Sequence, residues 1–396
     1  MITFAPAGAR RDPTTNNANS TVHTIMHDTI TRRLTDAMAA AGLDAVVCIS
    51  PENFAYVAGF VVPSQPLLRR RHAAAVVTAD GQVAYVSVDM EESTVKRRVD
   101  GADVRVWGEF TDNAMQVLAD LLRDMGLAQA AIGTELDYLP AGDFAELREC
   151  LPGATFRPVD AMLNRLQWIK SPGEIELIRR LARIADEAIH NALAGVSAGS
   201  TEMDIAAGLT RNVFSLGADD FKLMIVATGE RSVYPNVGPT ARELQPRDVC
   251  RVEIFAVSDG YHAGVCRTAC VQEAPQHAAP IWRNLAECKQ LVLEMMRPQA
   301  STREIYQAFT RHLGKLNLPP IKFVGHGIGL HLHEEPYLAM HADVPLEANM
   351  VLCIEPLVYN TGHGFGMQNK DVVLVTDSGA ELLSDVSDTD DLLIIR

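Results

Sequence analysis

The chain of 396 residues carries 35 Lys and Arg against 50 Asp and Glu, a net charge of −15, which argues against nucleic acid or an anionic membrane as its main partner. It contains no run of about 18 or more apolar residues, the length that a helical membrane span needs. Its seven cysteines are scattered without a CxxC pair, so neither a disulfide framework nor a structural zinc site is expected, and a cytoplasmic protein with reduced thiols is.

Residues 1–25 are polar, rich in Thr and Asn, and lack the apolar core of a signal peptide; they read as a mobile tail. Residues 26–168 read as an α/β domain. The pattern is helical from Ile30 to Gly42, and Asp44–Ser50 is a short buried strand closed by Pro51. His72–Thr78 and Gln82–Val88 flank the turn Ala79-Asp80-Gly81, which predicts a hairpin. Helices and strands then alternate from Glu91 to Pro158.

Residues 169–396 read as a second domain. Ser171 is placed to cap a helix, with Pro172 at its first position and Glu174 completing a capping box. Ile178, Leu181 and Ala185 supply that helix with an apolar stripe. A faint repeat follows: Ser200-Thr201, Thr210-Arg211 and Phe221-Lys222 recur about 100 residues later as Ser301-Thr302, Thr310-Arg311 and Ile321-Lys322. The repeat predicts two similar α/β halves related by a pseudo-twofold, with a site between them. Strands over Val249–Val257 and Tyr261–Val271 are joined through Ser258-Asp259-Gly260.

Val324–Pro336, VGHGIGLHLHEEP, sets glycines, histidines and two glutamates in an apolar run. It lacks the Lys-Ser/Thr of a phosphate loop, so its glycines read as tight-turn positions that let His326 and His333 project into a cleft. Glu253 and Glu355 each interrupt or end an apolar strand. Burying a carboxylate there is costly unless a cation, a metal or a ligand pairs with it. Arg267 is one available partner.

Lys170-Ser171-Pro172-x-Glu174, GHGIGLHLHEEP, Ile354-Glu355-Pro356, Arg267-Thr268 and DVVLVTDSG (371–379) together resemble the pita-bread family, which includes methionine aminopeptidase, prolidase and creatinase. The resemblance implies an α/β (α+β) fold: an N-terminal creatinase-type α/β domain and a C-terminal pita-bread domain of pseudo-twofold halves. It also implies a homodimer. The family's metallopeptidases bind two divalent ions through Asp, Asp, His, Glu and Glu, and the matching positions here hold Glu253, Gly264, His326, Glu355 and Lys370. Two ligands are gone and one has become a cation, so a dinuclear centre is not expected. The leading expectation is a site without a cofactor. The alternative is one divalent ion on Glu253, His326 and Glu355. Without metals the two glutamates would push one pKa up, and Lys370 is expected within salt-bridge reach of one of them.

Resemblance to the metal-independent creatinase and ectoine hydrolase branch sets the functional expectation. It is hydrolysis of a non-peptide C–N bond in a small amidine, guanidine or amide compound that carries a carboxylate and a cationic C–N group. Glu253 would be nucleophile or base, His326 or His333 would move the proton, and Glu355 would hold the cationic group. Arg71, Cys266, Lys370 and Tyr337 are assigned to substrate binding, with Arg71 reaching a carboxylate from the partner subunit. Two alternatives stand beside it: a metal-dependent Xaa-Pro dipeptidase or aminopeptidase with a degenerate metal site, and a non-catalytic peptide-binding protein.

Overall fold

A computed structural model describes residues 15–99 and 101–396. The N-terminal domain is built on a six-stranded sheet in the order Asp103–Trp107, Val83–Val88, Ala74–Thr78, Ala45–Cys48, Ala131–Thr134, Thr155–Pro158. Successive side chains of a strand point to opposite faces. Val47 and Val76 accordingly pack with Met115, Leu118 and Leu122 of the helix Ala114–Asp124. Val46 and Val77 pack with Leu34, Met38 and Phe54 of the helices Thr15–Ala41 and Pro51–Ala58 on the other side. Cover on both faces explains why these strands read as unbroken apolar runs. Residues 15–25, expected in a mobile tail, are the first turns of Thr15–Ala41, and residues 1–14 of that expected tail lie outside the described residues.

The capping box forms as the sequence predicts. Glu174 N donates to Ser171 Oγ, and Ser171 N donates to Glu174 Oε2 at 2.7 Å, which starts the helix Pro172–Ala194.

The C-terminal domain holds two sheets. One runs Leu393–Ile395, Tyr261–Val271, Val249–Ser258, Asp220–Thr228; the other runs Glu334–Ala339, Phe323–Gly327, Val351–Ile354, Asp371–Thr376, Gly379–Leu382. Pro172–Ala194 and Glu202–Ser215 cover the first, with Leu181, Ala185 and Leu209 against Val252, Ile254 and Val265. Ala278–Met295 and Thr302–Lys315 cover the second, with Val292, Ile305 and Phe309 against Val324, Leu352 and Val373. The halves repeat their hydrogen bonds. Glu202 N donates to Arg242 O and Leu244 N to Ser200 O; in the second half Thr302 N donates to Val344 O and Leu346 N to Ala300 O. The repeat therefore aligns Thr201 with Ser301, the two helix caps, at the same offset as Thr210-Arg211 with Thr310-Arg311 and Phe221-Lys222 with Ile321-Lys322; only the expected pairing of Ser200-Thr201 with Ser301-Thr302 shifts by one residue.

Two features fix where the halves meet. Ser258 pairs with Tyr261 across Asp259 and Gly260, both at positive φ, as a two-residue hairpin turn requires. This register sets Glu253 opposite Cys266. Cys266 and Lys370 then exchange backbone hydrogen bonds of 3.2 Å, and Thr268 Oγ1 donates to Gln368 O at 2.9 Å. The two sheets cross at this seam, and the polar pocket lies on it.

Candidate active site

Strand alternation puts Arg251, Glu253 and Phe255 on one face of Val249–Ser258, and they meet Gln368 and Lys370 across the seam. Lys370 is 1% exposed. Its Nζ stands 3.0 Å from Glu253 Oε1, 3.2 Å from Glu355 Oε2 and 4.5 Å from the centre of the Phe255 ring. Gln368 Nε2 donates to Glu355 Oε2 at 3.0 Å, and Gln368 Oε1 accepts from Arg251 Nη1 at 2.9 Å. Arg251 is held in turn by the carbonyl of Pro235 at 2.8 Å. Burial alone would raise the Glu355 pKa, but the Lys370 ammonium outweighs it and lowers the carboxyl to about 2. Burial likewise opposes the charge on Lys370, and the Glu253 and Glu355 carboxylates override it, holding its pKa above the ordinary value. The expectation of a raised glutamate pKa is thus corrected for Glu355, because an ammonium stands between the carboxylates.

His326 forms the opposite wall, on a strand bordered on both sides. Its flanking glycines are required by that crowding. A Cβ at Gly325 would lie 2.6 Å from Cys353 O, and one at Gly327 2.5 Å from Glu335 O. The His326 ring is fully buried, and its Nδ1 lies 2.8 Å from Gly327 O. A carbonyl can only accept, so Nδ1 carries the hydrogen in the neutral ring and Nε2 presents a lone pair. That Nε2 is 3.3 Å from Glu355 Oε1. The His333 ring stacks on His326 at 3.6 Å and 6° from parallel, at the mouth of the pocket. Lost hydration there, with the Lys370 ammonium nearby, lowers the His333 pKa to about 4, so its ring is neutral at pH 7. Phe323 and Tyr337 line the same mouth, each with its ring centre 6.1 Å from His333.

His326 Nε2 and Glu355 Oε1 are buried without a hydrogen-bond partner. One ligand atom each from His326, His333 and Glu355 falls within 4.8 Å of the others. Two imidazoles and a carboxylate are a donor set for one borderline divalent ion such as zinc, manganese or iron, which the His333 ring would join by turning out of its stack on His326. A pair of ions does not fit. Lys370 Nζ stands between the two glutamates, and a Cβ at Gly264 would lie 2.2 Å from Phe255 Cε1, so no ligand side chain can enter from that position.

The structure brings together Glu253, His326, His333, Glu355, Lys370 and Tyr337, and it revises several assignments. Glu253 stands outside the possible metal cluster because Lys370 holds its Oε1; His333 stands in its place. The amine of Lys370 is directed at Glu253, Glu355 and the Phe255 ring, which corrects its assignment to substrate binding. Cys266 is fully buried and burial pushes its thiol well up; its backbone bonds Lys370, so it packs and does not face a substrate. Arg71 is clamped by Glu109 at 2.8 Å within the N-terminal domain, which leaves its expected reach toward a partner subunit's pocket as it stood. Arg267 binds Asp186 and Asp371, so it partners neither glutamate. Arg251, Phe255, Gln368 and Phe323 are pocket residues that the sequence reading passes over. Arg251, Glu253 and Phe255 share a two-residue spacing, as do Gln368 and Lys370, and that period is the signal that would have found most of them.

A profile of metallopeptidase family M24 matches residues 176–377, and one of the creatinase/prolidase N-terminal domain matches residues 31–169. The chain is 29% identical over 358 residues to a probable dipeptidase, PepE, of Mycobacterium tuberculosis, covering 88% of this chain and 92% of that protein. It is 27% identical over 232 residues to an Xaa-Pro dipeptidase of Pyrococcus furiosus, covering 58% and 66%. The solved Xaa-Pro dipeptidase from Bacillus anthracis shares the fold with a TM-score of 0.80 at 22% identity, covering 93% of this chain and 99% of that one. These findings overturn the expected metal-independent attack on a non-peptide C–N bond, since the relatives carry peptidase names. They overturn the expected absence of a cofactor as well, since the matching family is one of metallopeptidases. The profile spans just over half of the chain and takes in every residue of the pocket, so the protein belongs to metallopeptidase family M24 and is a hydrolase acting on C–N bonds, built behind a creatinase/prolidase N-terminal domain.

Proposed function

We propose that this protein is a metal-assisted dipeptidase that acts on short peptides, Xaa-Pro dipeptides among them, with one divalent ion on His326, His333 and Glu355. The observation that carries the reading is the buried pair His326 Nε2 and Glu355 Oε1, free of hydrogen bonds beside the His333 ring. The names of the relatives support the substrate class.

A bound divalent ion supplies a polarised carbonyl and a water of lowered pKa. The residues around it do the rest. Gly327 O fixes the His326 tautomer through Nδ1, so Nε2 meets the pocket as a lone pair. Gln368 and Lys370 hold Glu355 Oε2, which leaves Oε1 turned to His326. Glu253, the second carboxylate on Lys370, would accept the proton of the attacking water and return it to the leaving nitrogen as the peptide C–N bond breaks. Tyr337 is half-buried beside His326; lost hydration and the nearby glutamates raise its pKa, so its phenol stays protonated and donates to the substrate. The seven free cysteines suit a reducing, cytoplasmic setting. We also take the chain to act as a homodimer, which sedimentation velocity tests.

The test is hydrolysis of a dipeptide panel, with and without proline in the second position, by chelator-stripped protein before and after addition of one equivalent of manganese, zinc or iron. Activity that appears only with the ion supports the reading. Peptide hydrolysis at full rate by stripped protein, or no hydrolysis with any of the three ions, contradicts it.

A further inference from the structure

We infer that the Lys370 ammonium is a built-in cation: it occupies the place of a second ion, limits the pocket to one divalent ion, and aims Glu355 at that ion. The inference rests on the one-ion reading above and concerns what sets the number of ions.

The position of the ammonium is set by the fold. The Lys370 backbone is locked by two 3.2 Å hydrogen bonds to Cys266 at the seam between the sheets, so the side chain starts from a fixed point. The ammonium has three hydrogens. It meets two carboxylate oxygens at 3.0 and 3.2 Å and the face of the Phe255 ring at 4.5 Å. A cation is attracted to the face of an aromatic ring, so all three directions are satisfied. Lysine, Glu253 and Glu355 are each at most 5% exposed, so the charges are out of water and their pairing is strong. An ion that sought the same two carboxylates would have to displace a cation tethered to the same chain.

The ligand side chain missing at position 264 cannot be supplied there either. Phe255 fills the space over Gly264, where even a methyl group would come within 2.2 Å of its ring. Gly264 and Phe255 are cross-strand partners in the hairpin, so the missing side chain and the ring that replaces it form one unit.

The consequence falls on Glu355. Its Oε2 is committed to Lys370 and Gln368, and its Oε1 is left to face His326. Glu253 is withdrawn from ion binding by the same lysine. Lys370 is therefore a positioning residue. It acts through Glu355, with Gln368 and Arg251 behind it.

The experiment is calorimetric titration of manganese and of zinc into stripped full-length protein, with elemental analysis of the saturated samples. The wild type is expected to bind one equivalent. Lys370→Glu frees Glu253 and adds a carboxylate, and it is expected to bind two. Lys370→Met leaves two carboxylates without their cation, and it is expected to bind two or to fold, by circular dichroism, only when the ion is present. A folded variant of either kind that binds one equivalent overturns the inference, as does one that stays unfolded at saturating ion. A wild type that binds two equivalents overturns it too. A wild type that binds none removes the one-ion reading itself, so the two failures are distinguishable.

Discussion

His326 Nε2 and Glu355 Oε1 face each other across 3.3 Å, both buried and neither hydrogen-bonded. Buried polar atoms left in this state are rare and costly, and when they converge they mark a place where something else completes the bonding. Each is held from behind, His326 by Gly327 O and Glu355 by Gln368 and Lys370. The pair is thus presented rather than collapsed.

Gln368→Ala removes the amide that orients Glu355 and leaves Arg251 Nη1 without its partner. Loss of such a supporting group weakens metal affinity by about 10–100-fold. Zinc titration of the folded variant should show that loss with stoichiometry unchanged. Affinity equal to the wild type would mean that Glu355 does not need the relay.

Arg267 lies buried between Asp186 and Asp371, at 2.9 and 2.8 Å. Arg267→Ala strands two buried carboxylates, and breaking such a pair costs about 3–5 kcal/mol. Urea unfolding should show a loss of this size. A loss under about 1 kcal/mol, the range of an exposed pair, would contradict the structural role given to Arg267.

Asp371 gives the same network a pH signature. Burial would raise its pKa, but Arg267 and Lys289 prevail and lower it to about 2 from an ordinary 3.8. A group depressed in the folded state contributes stability above its unfolded pKa and loses it as pH falls through the folded one. The contribution is complete above about pH 4, is lost toward pH 2, and amounts to roughly 2 kcal/mol. Acid should therefore destabilise the wild type more steeply than Asp371→Asn between pH 4 and pH 2. Parallel urea midpoints for the two proteins across that window would refute the assignment.

Gly264→Ala tests the steric half of the account. The new methyl meets Phe255 Cε1 at 2.2 Å in a fully buried hairpin. Overpacking of this kind costs about 1–3 kcal/mol. Thermal unfolding should report the loss, and Phe255→Leu in the same chain should recover part of it. An unchanged melting temperature in the single variant would show that the ring moves aside freely.

Much of this arrangement is written in local signals. Ser171 and Glu174 make the capping box their spacing requires, and Asp259-Gly260 makes the tight turn that fixes the register of Glu253. Lys370 lies on Glu253 and Glu355, as the exchange of a carboxylate for an ammonium suggests. What escaped depends on which strands cross. His333 joins His326 through a loop that folds back on its own strand, and neither periodicity nor spacing predicts a stacked pair. Gln368 meets Arg251 only because the two sheets touch at Cys266 and Lys370. The loss of two ligand positions suggests a pocket without metal, an expectation that the metallopeptidase family match overturns, and His326, His333 and Glu355 lie together from a different combination of strands and loop.

Anomalous diffraction from crystals of the wild type grown with manganese or zinc tests the central claim most directly. The account predicts one peak within about 2.0–2.2 Å of His326 Nε2, a His333 ring nitrogen and Glu355 Oε1, with Lys370 still on Glu253. A peak bridging Glu253 and Glu355 with Lys370 displaced, or no peak at His326, would contradict it.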